Sequence, residues 1–281
     1  MGNAKNESRN KANDTDAYIR DAIVINPLRE SMMRSAIEAL RLREGSRGLD
    51  AGCGIGLQAI LLAEAIGPTG HVTGLDVSPE FLDYGRDIID QAGFSERISF
   101  REGDVAKLPF DDHSFDWVWS ADCVGYAPWE PLPLLQELAR VVRPSGIIAL
   151  AAWSSEELLP GYPQLEARLG ATSVGLAPFK SGKDPKKHFL RALGWFHEAG
   201  LKESRADTFI NSVYAPLSDD LRNALVALFK MRWPGPESEL TAEDGAEYQR
   251  LCLPQSPDFI LNLPDYYAFF TYSMFHGRVT Q

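Results

Sequence analysis

Asp50 stands two residues ahead of three alternating glycines, Gly52, Gly54 and Gly56, where one apolar stretch ends and another begins. Glycines at that spacing let a backbone turn tightly and approach a ligand with no Cβ in the way. The lead-in, Arg47 to Asp50, reads as a strand end. After the turn, Leu57, Ile60, Leu61 and Ala65 share one helical face, and Gly67-Pro68 stops the helix. A helix start supplies free N–H groups and partial positive charge. The spacing is G-x-G-x-G, not the G-x-G-x-x-G of dinucleotide turns. A carboxylate at Asp50 repels a pyrophosphate and suits a ligand carrying an ammonium or a sulfonium. Asp76 closes the next strand, His71 to Leu75, where an acid accepts hydrogen bonds from ribose hydroxyls. A dinucleotide site also carries an acid at that distance, so Asp76 marks a nucleoside without choosing between the two.

Those residues need a sheet to hold them, and the chain alternates strand and helix patterns as an α/β fold requires. Pro79 opens a helix that closes near Gly93, with Ser78 as its cap. Ile98 to Arg101 is a short third strand ending at Gly103-Asp104-Val105. Asp116 to Ala121 is the fourth, entered through Leu108-Pro109-Phe110 and the turn around His113, which reads as surface. Leu134 to Val142 is a helix, broken by Arg143-Pro144-Ser145-Gly146, and Ile147 to Ala152 is the fifth strand. The glycine motif, Asp104-Val105, the run from Leu108 to Val118 and the Arg143 to Gly146 turn together resemble the class I S-adenosylmethionine-dependent methyltransferases. The small-molecule branch that includes quinone and sterol methyltransferases is the most similar. The resemblance runs from about Leu28 to Trp153.

It implies a Rossmann-like, seven-stranded, mostly parallel sheet with the last strand antiparallel, helices on both faces, and a helical lid or insertion. It implies S-adenosyl-L-methionine as cofactor, bound by Tyr18, Asp50, Gly52, Cys53, Gly54, Gly56, Asp76, Val77, Asp104, Val105 and Ser120. Asp104 is the acid expected to accept from the adenine amino group, with the Val105 N–H on a ring nitrogen. The expected organisation is a disordered tail over 1–15 and an N-terminal helical segment over the cofactor at 16–46, its helix capped by Asn26 and opened by Pro27. The cofactor-binding core follows at 47–153 and a lid at 154–187. The end of the core, helix and strand six, takes 188–216, a helical insertion takes 217–263, and the last strand takes 264–281. Strand and helix compete over Tyr266 to Phe275.

Methyl transfer from a sulfonium is an in-line displacement, and alignment with water excluded supplies much of the catalysis. A base is needed only where the acceptor loses a proton early. Asp122, Tyr126 and Tyr18 are the candidates, with Asp122 placed at the end of the fourth strand. Asp122 equally suits orienting the cofactor or capping the next turn. Tyr126, Trp129, Trp153 and Tyr162 supply aromatic surface for a small, partly apolar acceptor, or ordinary core packing. A protein or RNA methyltransferase, a binder of the cofactor with other chemistry, and a nicotinamide-dependent dehydrogenase are the alternatives. Asp50 and Asp104 stand against the last.

Lys and Arg number 28 against 39 Asp and Glu, a net charge of −11. That balance disfavours nucleic acid and anionic membrane as partners. Lys180, Lys183, Lys186 and Lys187 form one basic cluster, read as a solvated loop. Cys53, Cys123 and Cys252 have neither metal-site nor redox spacing, no metal is expected, and a reduced, cytoplasmic setting fits. No apolar run is long enough to span a bilayer. Oligomeric state is not legible from the sequence.

Overall fold

β1 (Arg47–Ala51) is buried along four of its five residues, the mark of a central strand. It pairs in parallel with β2 (His71–Asp76) on one side and β4 (Phe115–Ala121) on the other. The computed structural model describes residues 2–124, 130–173 and 184–280, with side chains from residue 15 onward, Glu237 apart. β3 (Ile98–Glu102) extends the sheet beyond β2, and β5 (Val142–Glu157) extends it beyond β4, both parallel. β6 (Lys202–Tyr214) and β7 (Tyr267–Arg278) complete seven strands in the order β3-β2-β1-β4-β5-β7-β6. β7 is antiparallel: Val279, at its end, exchanges backbone hydrogen bonds with Ser145 and Gly146, near the start of β5. The fold is the Rossmann-like mixed sheet that the sequence predicts. The strand order reverses between β1 and β4, and open α/β sheets bind ligands at the carboxyl ends of the strands at such a point.

Local chemistry explains the helices. α2 (Leu57–Ala65) starts at Gly56, which holds φ 77°. α3 (Pro79–Gln91) starts with Pro79, and the Ser78 hydroxyl accepts from the Phe81 N–H at 3.2 Å. α4 (Pro131–Val141) buries Leu134, Leu135 and Leu138. α5 (Pro163–Ala171) and α6 (Ala192–Glu198) are short. α7 (Asp219–Arg232) and α8 (Ala242–Cys252) divide what the sequence pattern joins, because Pro234 and Gly235 cannot continue a helix.

α1 runs from Gly2 to Ala39. The expected tail at 1–15 and the expected start at Pro27 both differ from this. Nothing between Gly2 and Asn26 breaks a helix, and Pro27 is carried inside it, with Ile25 and Leu28 buried beside it. An interior proline costs about 3 kcal/mol, which such burial offsets. Asn26 then serves as a helix residue, its amide donating to Glu30 at 3.3 Å.

Two further differences lie in the sheet. β5 is not interrupted at Arg143 to Gly146; Phe115 aligns with Val142 but Trp117 with Ile147, so the four intervening residues bulge out of register. Ser145 sits there at φ 67°, and a Cβ on Gly146 would lie 2.5 Å from the Asp116 carbonyl oxygen. β7 is a strand because Ala268, Phe270, Tyr272 and Met274 are buried at a period of two.

The chain divides into two compact units. One comprises Met32–Ser154, Gly182–Phe209 and Tyr272–Gln281, and its core gathers Leu49, Leu62, Val72, Trp119 and Ile148. The other comprises Met1–Ser31, Ser155–Ser181 and Ile210–Thr271. In it the buried Tyr266 hydroxyl donates to the Leu158 carbonyl at 3.1 Å, and Glu166 accepts from the Leu158 and Leu159 N–H groups at 2.6 and 2.9 Å. Burial pushes the Glu166 carboxyl up to about 7. Among the described residues no helix is long and apolar enough to cross a membrane.

Candidate cofactor site

The site lies in the first unit, where β1, β2 and β4 end. Asp50, the fourth residue of β1, is 2% exposed, and its Oδ2 has no hydrogen-bond partner. Burial, and secondarily the nearby Asp76 carboxylate, push the Asp50 carboxyl up to about 8.

The loop that follows is tied to β2. Gly52 and Cys53 both donate their N–H to the Leu75 carbonyl, at 2.8 and 2.9 Å. Gly54 donates to Asp76 Oδ2 at 2.9 Å, and Ser78 donates to Asp76 Oδ1 at 3.0 Å. Asp76 therefore fixes the glycine turn and the start of α3 together. All three glycines hold left-handed backbone, φ 81°, 53° and 77°. Two are also hemmed in: a Cβ on Gly52 would meet Cys123 Sγ at 2.4 Å, and one on Gly56 would meet Phe100 Cζ at 2.5 Å. A Cβ on Gly54 would meet nothing within 4 Å. The turn is packed at both shoulders and open at its middle.

The fit to S-adenosylmethionine rests on these features. An orphaned buried carboxylate oxygen beside an open glycine turn asks for a cation, and the cofactor's methionine end carries an ammonium and a sulfonium. Val77, 63% exposed beside Asp76, offers apolar surface at the same strand end.

The remaining predicted residues divide. Asp104 is exposed, with its Oδ1 accepting from the Ala106 N–H at 2.8 Å in a tight turn, and Val105 next to it is half-buried. Ser120 is fully buried and is engaged by the backbone on both sides. Its hydroxyl donates to the Ala51 carbonyl at 2.8 Å and accepts from the Val124 N–H at 3.3 Å. These two bonds lock β1 to the turn after β4. Tyr18 stands on α1, 60% exposed, in the second unit. Tyr126 and Trp129 lie outside the described residues.

Asp122 sits in left-handed backbone, φ 50°, just past β4. Its N–H donates to Ala151 O at 2.9 Å, and its Oδ1 accepts from the Trp153 N–H at 3.2 Å. Its Oδ2 accepts from the Tyr272 hydroxyl at 2.5 Å. Tyr272 comes from β7, is 1% exposed, and packs edge-on against Trp153 with ring centroids 5.5 Å apart. Sequence reasoning missed Tyr272; its only signal is the inward position that a period of two gives it on the last strand.

The thiols at the site are held neutral. Burial, then Asp50 and Asp76, drive Cys53 well above the usual thiol range, and burial with Asp76 pushes Cys123 up to about 12. His113 keeps to its turn, at φ 57° with Nδ1 3.0 Å from the Val142 carbonyl. Of the basic cluster, Lys187 pairs with Glu130, and the Lys186 carbonyl accepts from the Trp195 indole.

Residues 49–146 match the family model described as a methyltransferase domain. Curated demethylmenaquinone methyltransferases of Staphylococcus aureus strains are 34% identical over 134 residues, covering 48% of this chain and 54% of theirs. The chain thus spans about half the length of the curated relatives it matches. Among solved structures, an S-adenosylmethionine-dependent methyltransferase from Aquifex aeolicus superposes with a TM-score of 0.50 at 22% identity, over 67% of this chain and 88% of that one. The Haemonchus contortus phosphoethanolamine N-methyltransferase 2, in complex with phosphomonomethylethanolamine and S-adenosylhomocysteine, gives 0.52 at 15% identity, over 88% and 52%. At these identities the structures speak to the fold alone.

Proposed function

We propose that this chain, whose core is a class I S-adenosylmethionine-dependent methyltransferase domain, methylates a small, partly apolar molecule by in-line transfer. The observation that carries the reading is the buried Asp50 carboxylate with an oxygen left unsatisfied beside the open middle of the glycine turn. A dinucleotide's pyrophosphate offers that carboxyl no positive charge to favour its ionised form, whereas the ammonium and sulfonium of S-adenosylmethionine do. S-adenosylmethionine, when bound, supplies an electrophilic methyl group on a sulfonium.

The chain's own part is to hold and to align. Asp50 faces the cationic end. The loop from Gly52 to Gly56, including Cys53, cradles the donor, with its shape kept by Asp76 and Leu75. Asp76 and Val77 take the ribose side, and Asp104 and Val105 the adenine side. Ser120 and Asp122 act from behind, by fixing the ends of β1 and β4. Each Asp122 oxygen already accepts a hydrogen bond, so we assign this residue to positioning rather than to proton abstraction. Tyr126, four residues on, is the remaining candidate to face the acceptor. Alignment of a nucleophile with the methyl then supplies most of the acceleration.

The small-molecule reading draws support from the curated relatives, which are named for a quinone acceptor. The net charge of −11 also favours it over an RNA acceptor. Parallel calorimetric titration with S-adenosylmethionine, S-adenosylhomocysteine and NAD tests the cofactor. Methyl transfer from labelled donor to a panel of reduced quinones, demethylmenaquinol among them, and to protein and RNA tests the acceptor. Binding of both sulfur nucleosides with label in a small molecule is the expected result. Binding of NAD alone, or label only in protein or RNA, overturns it.

A further inference from the structure

A buried carboxylate keeps its charge only where a cation or several hydrogen-bond donors compensate for lost water. Asp50 has no such compensation. It is 2% exposed, and its Oδ2 is without a partner. The titratable groups that face it from the neighbouring elements are Asp76 at the end of β2, Cys53 in the glycine loop and Cys123 past β4. None of these is a cation. The nearby loop N–H groups are already spent, those of Gly52 and Cys53 on Leu75 and that of Gly54 on Asp76. Two carboxyl groups and two thiols therefore share one corner with no cation among them, and the most deeply buried of the four, Asp50, is the one whose charge is least compensated.

We propose that Asp50 carries a proton in the cofactor-free cradle and gives it up when S-adenosylmethionine enters, so that capture of the methyl donor releases a proton. The inference rests on the cofactor reading above. The step balances simply: the Asp50 O–H bond breaks, the proton passes to solvent, and the carboxylate electrons stay to face the donor's positive charge. The raised Asp50 carboxyl, near 8, agrees with the geometry. It puts the release within the neutral pH range.

The test is calorimetric titration of the whole protein with S-adenosylmethionine, in buffers matched in pH but differing in ionisation enthalpy. At about pH 6.5 the observed heat should vary with the buffer by the equivalent of about one proton released per donor bound. The dependence should vanish above about pH 9, and the affinity should rise roughly tenfold per pH unit below about pH 8 before levelling off. Donor binding with heats independent of buffer, or an affinity flat across pH, overturns the proposal while leaving the cofactor reading intact. No donor binding at any pH overturns the cofactor reading itself. Asp50→Asn should bind without releasing a proton; release equal to wild type moves the proton to another group and overturns the assignment. Should that variant fail to fold, an infrared difference spectrum of the wild type decides, because a protonated-carboxyl band must disappear on donor binding.

Discussion

Gly54 and Gly56 share the same backbone handedness, yet they answer to different demands. A side chain on Gly56 would run into the Phe100 ring, whereas one on Gly54 would meet open space. Gly56→Ala should therefore cost about 2 kcal/mol or more of stability, from overpacking added to left-handed strain. Gly54→Ala should cost only about 1 kcal/mol, the strain alone, and yet weaken S-adenosylmethionine binding at least tenfold, because its methyl group enters the donor's space. Urea unfolding and calorimetry on the same two variants separate the cases. Equal affinity in Gly54→Ala and wild type would put the donor elsewhere. Asp104→Ala should lower donor affinity by about 1–3 kcal/mol, read by the same titration, through a hydrogen bond lost in a buried complex. This part of the site was legible in the sequence because it is local. Asp50, the three glycines and Asp76 fall within 27 residues, and each acts through its own backbone or its immediate neighbour. Ser120 was not legible in the same way. A serine at a strand end looks free to meet a ligand until the strand beside it offers a carbonyl, here that of Ala51.

Strands carry the longer-range wiring, and Tyr272 shows what that contributes. Its hydroxyl reaches Asp122 across 150 residues of sequence and satisfies one oxygen of a carboxylate held in left-handed backbone. Tyr272→Phe keeps the ring against Trp153 but removes that donor. The expected loss is about 1 kcal/mol in urea unfolding, the net worth of one hydrogen bond to a half-buried carboxylate. Donor affinity should stay within a few-fold of wild type, since Asp50 and the glycine loop are untouched. A variant as stable as wild type would mean that the pair contributes nothing to holding the end of β4. Element types followed from the sequence wherever periodicity was clean, as in α2, β2, α3 and β4. They were hidden where two signals competed. The turn chemistry of Arg143 to Gly146 reads as an interruption, but strand pairing on both sides absorbs it as a bulge. Trp233-Pro234-Gly235 lies inside an apolar pattern long enough to mask the break between α7 and α8. β7 shows the opposite balance: its aromatic residues fit either period, and burial of alternate residues decided for the strand.

For the whole molecule, the cost of the cradle should be visible as a dependence of stability on pH. The Asp50 carboxyl lies near 8 in the folded chain against 3.8 for the ordinary group, because burial and Asp76 oppose its charge. A carboxyl raised on folding imposes no penalty below about pH 4, where folded and unfolded forms are both protonated. The penalty grows from about pH 4 to pH 8, as the unfolded form ionises and the folded form resists. Above about pH 8 it is complete, on the order of 5 kcal/mol at most. Asp50→Asn removes the ionisation while nearly keeping the shape. The variant should match wild type near pH 4 and become progressively more stable than it up to about pH 8, with a constant gap beyond. Urea unfolding at four pH values across that range measures the gap. A gap already present at pH 4, or one that shrinks as pH rises, would mean that packing rather than charge separates the two proteins. Saturating S-adenosylmethionine should narrow the gap. A ligand at about one hundred times its Kd adds roughly 2.7 kcal/mol, and wild type gains more than the variant because only its carboxylate meets the donor's cation. Instability without the donor and affinity with it then have a common origin, a carboxyl group buried where its charge finds no partner until the donor arrives.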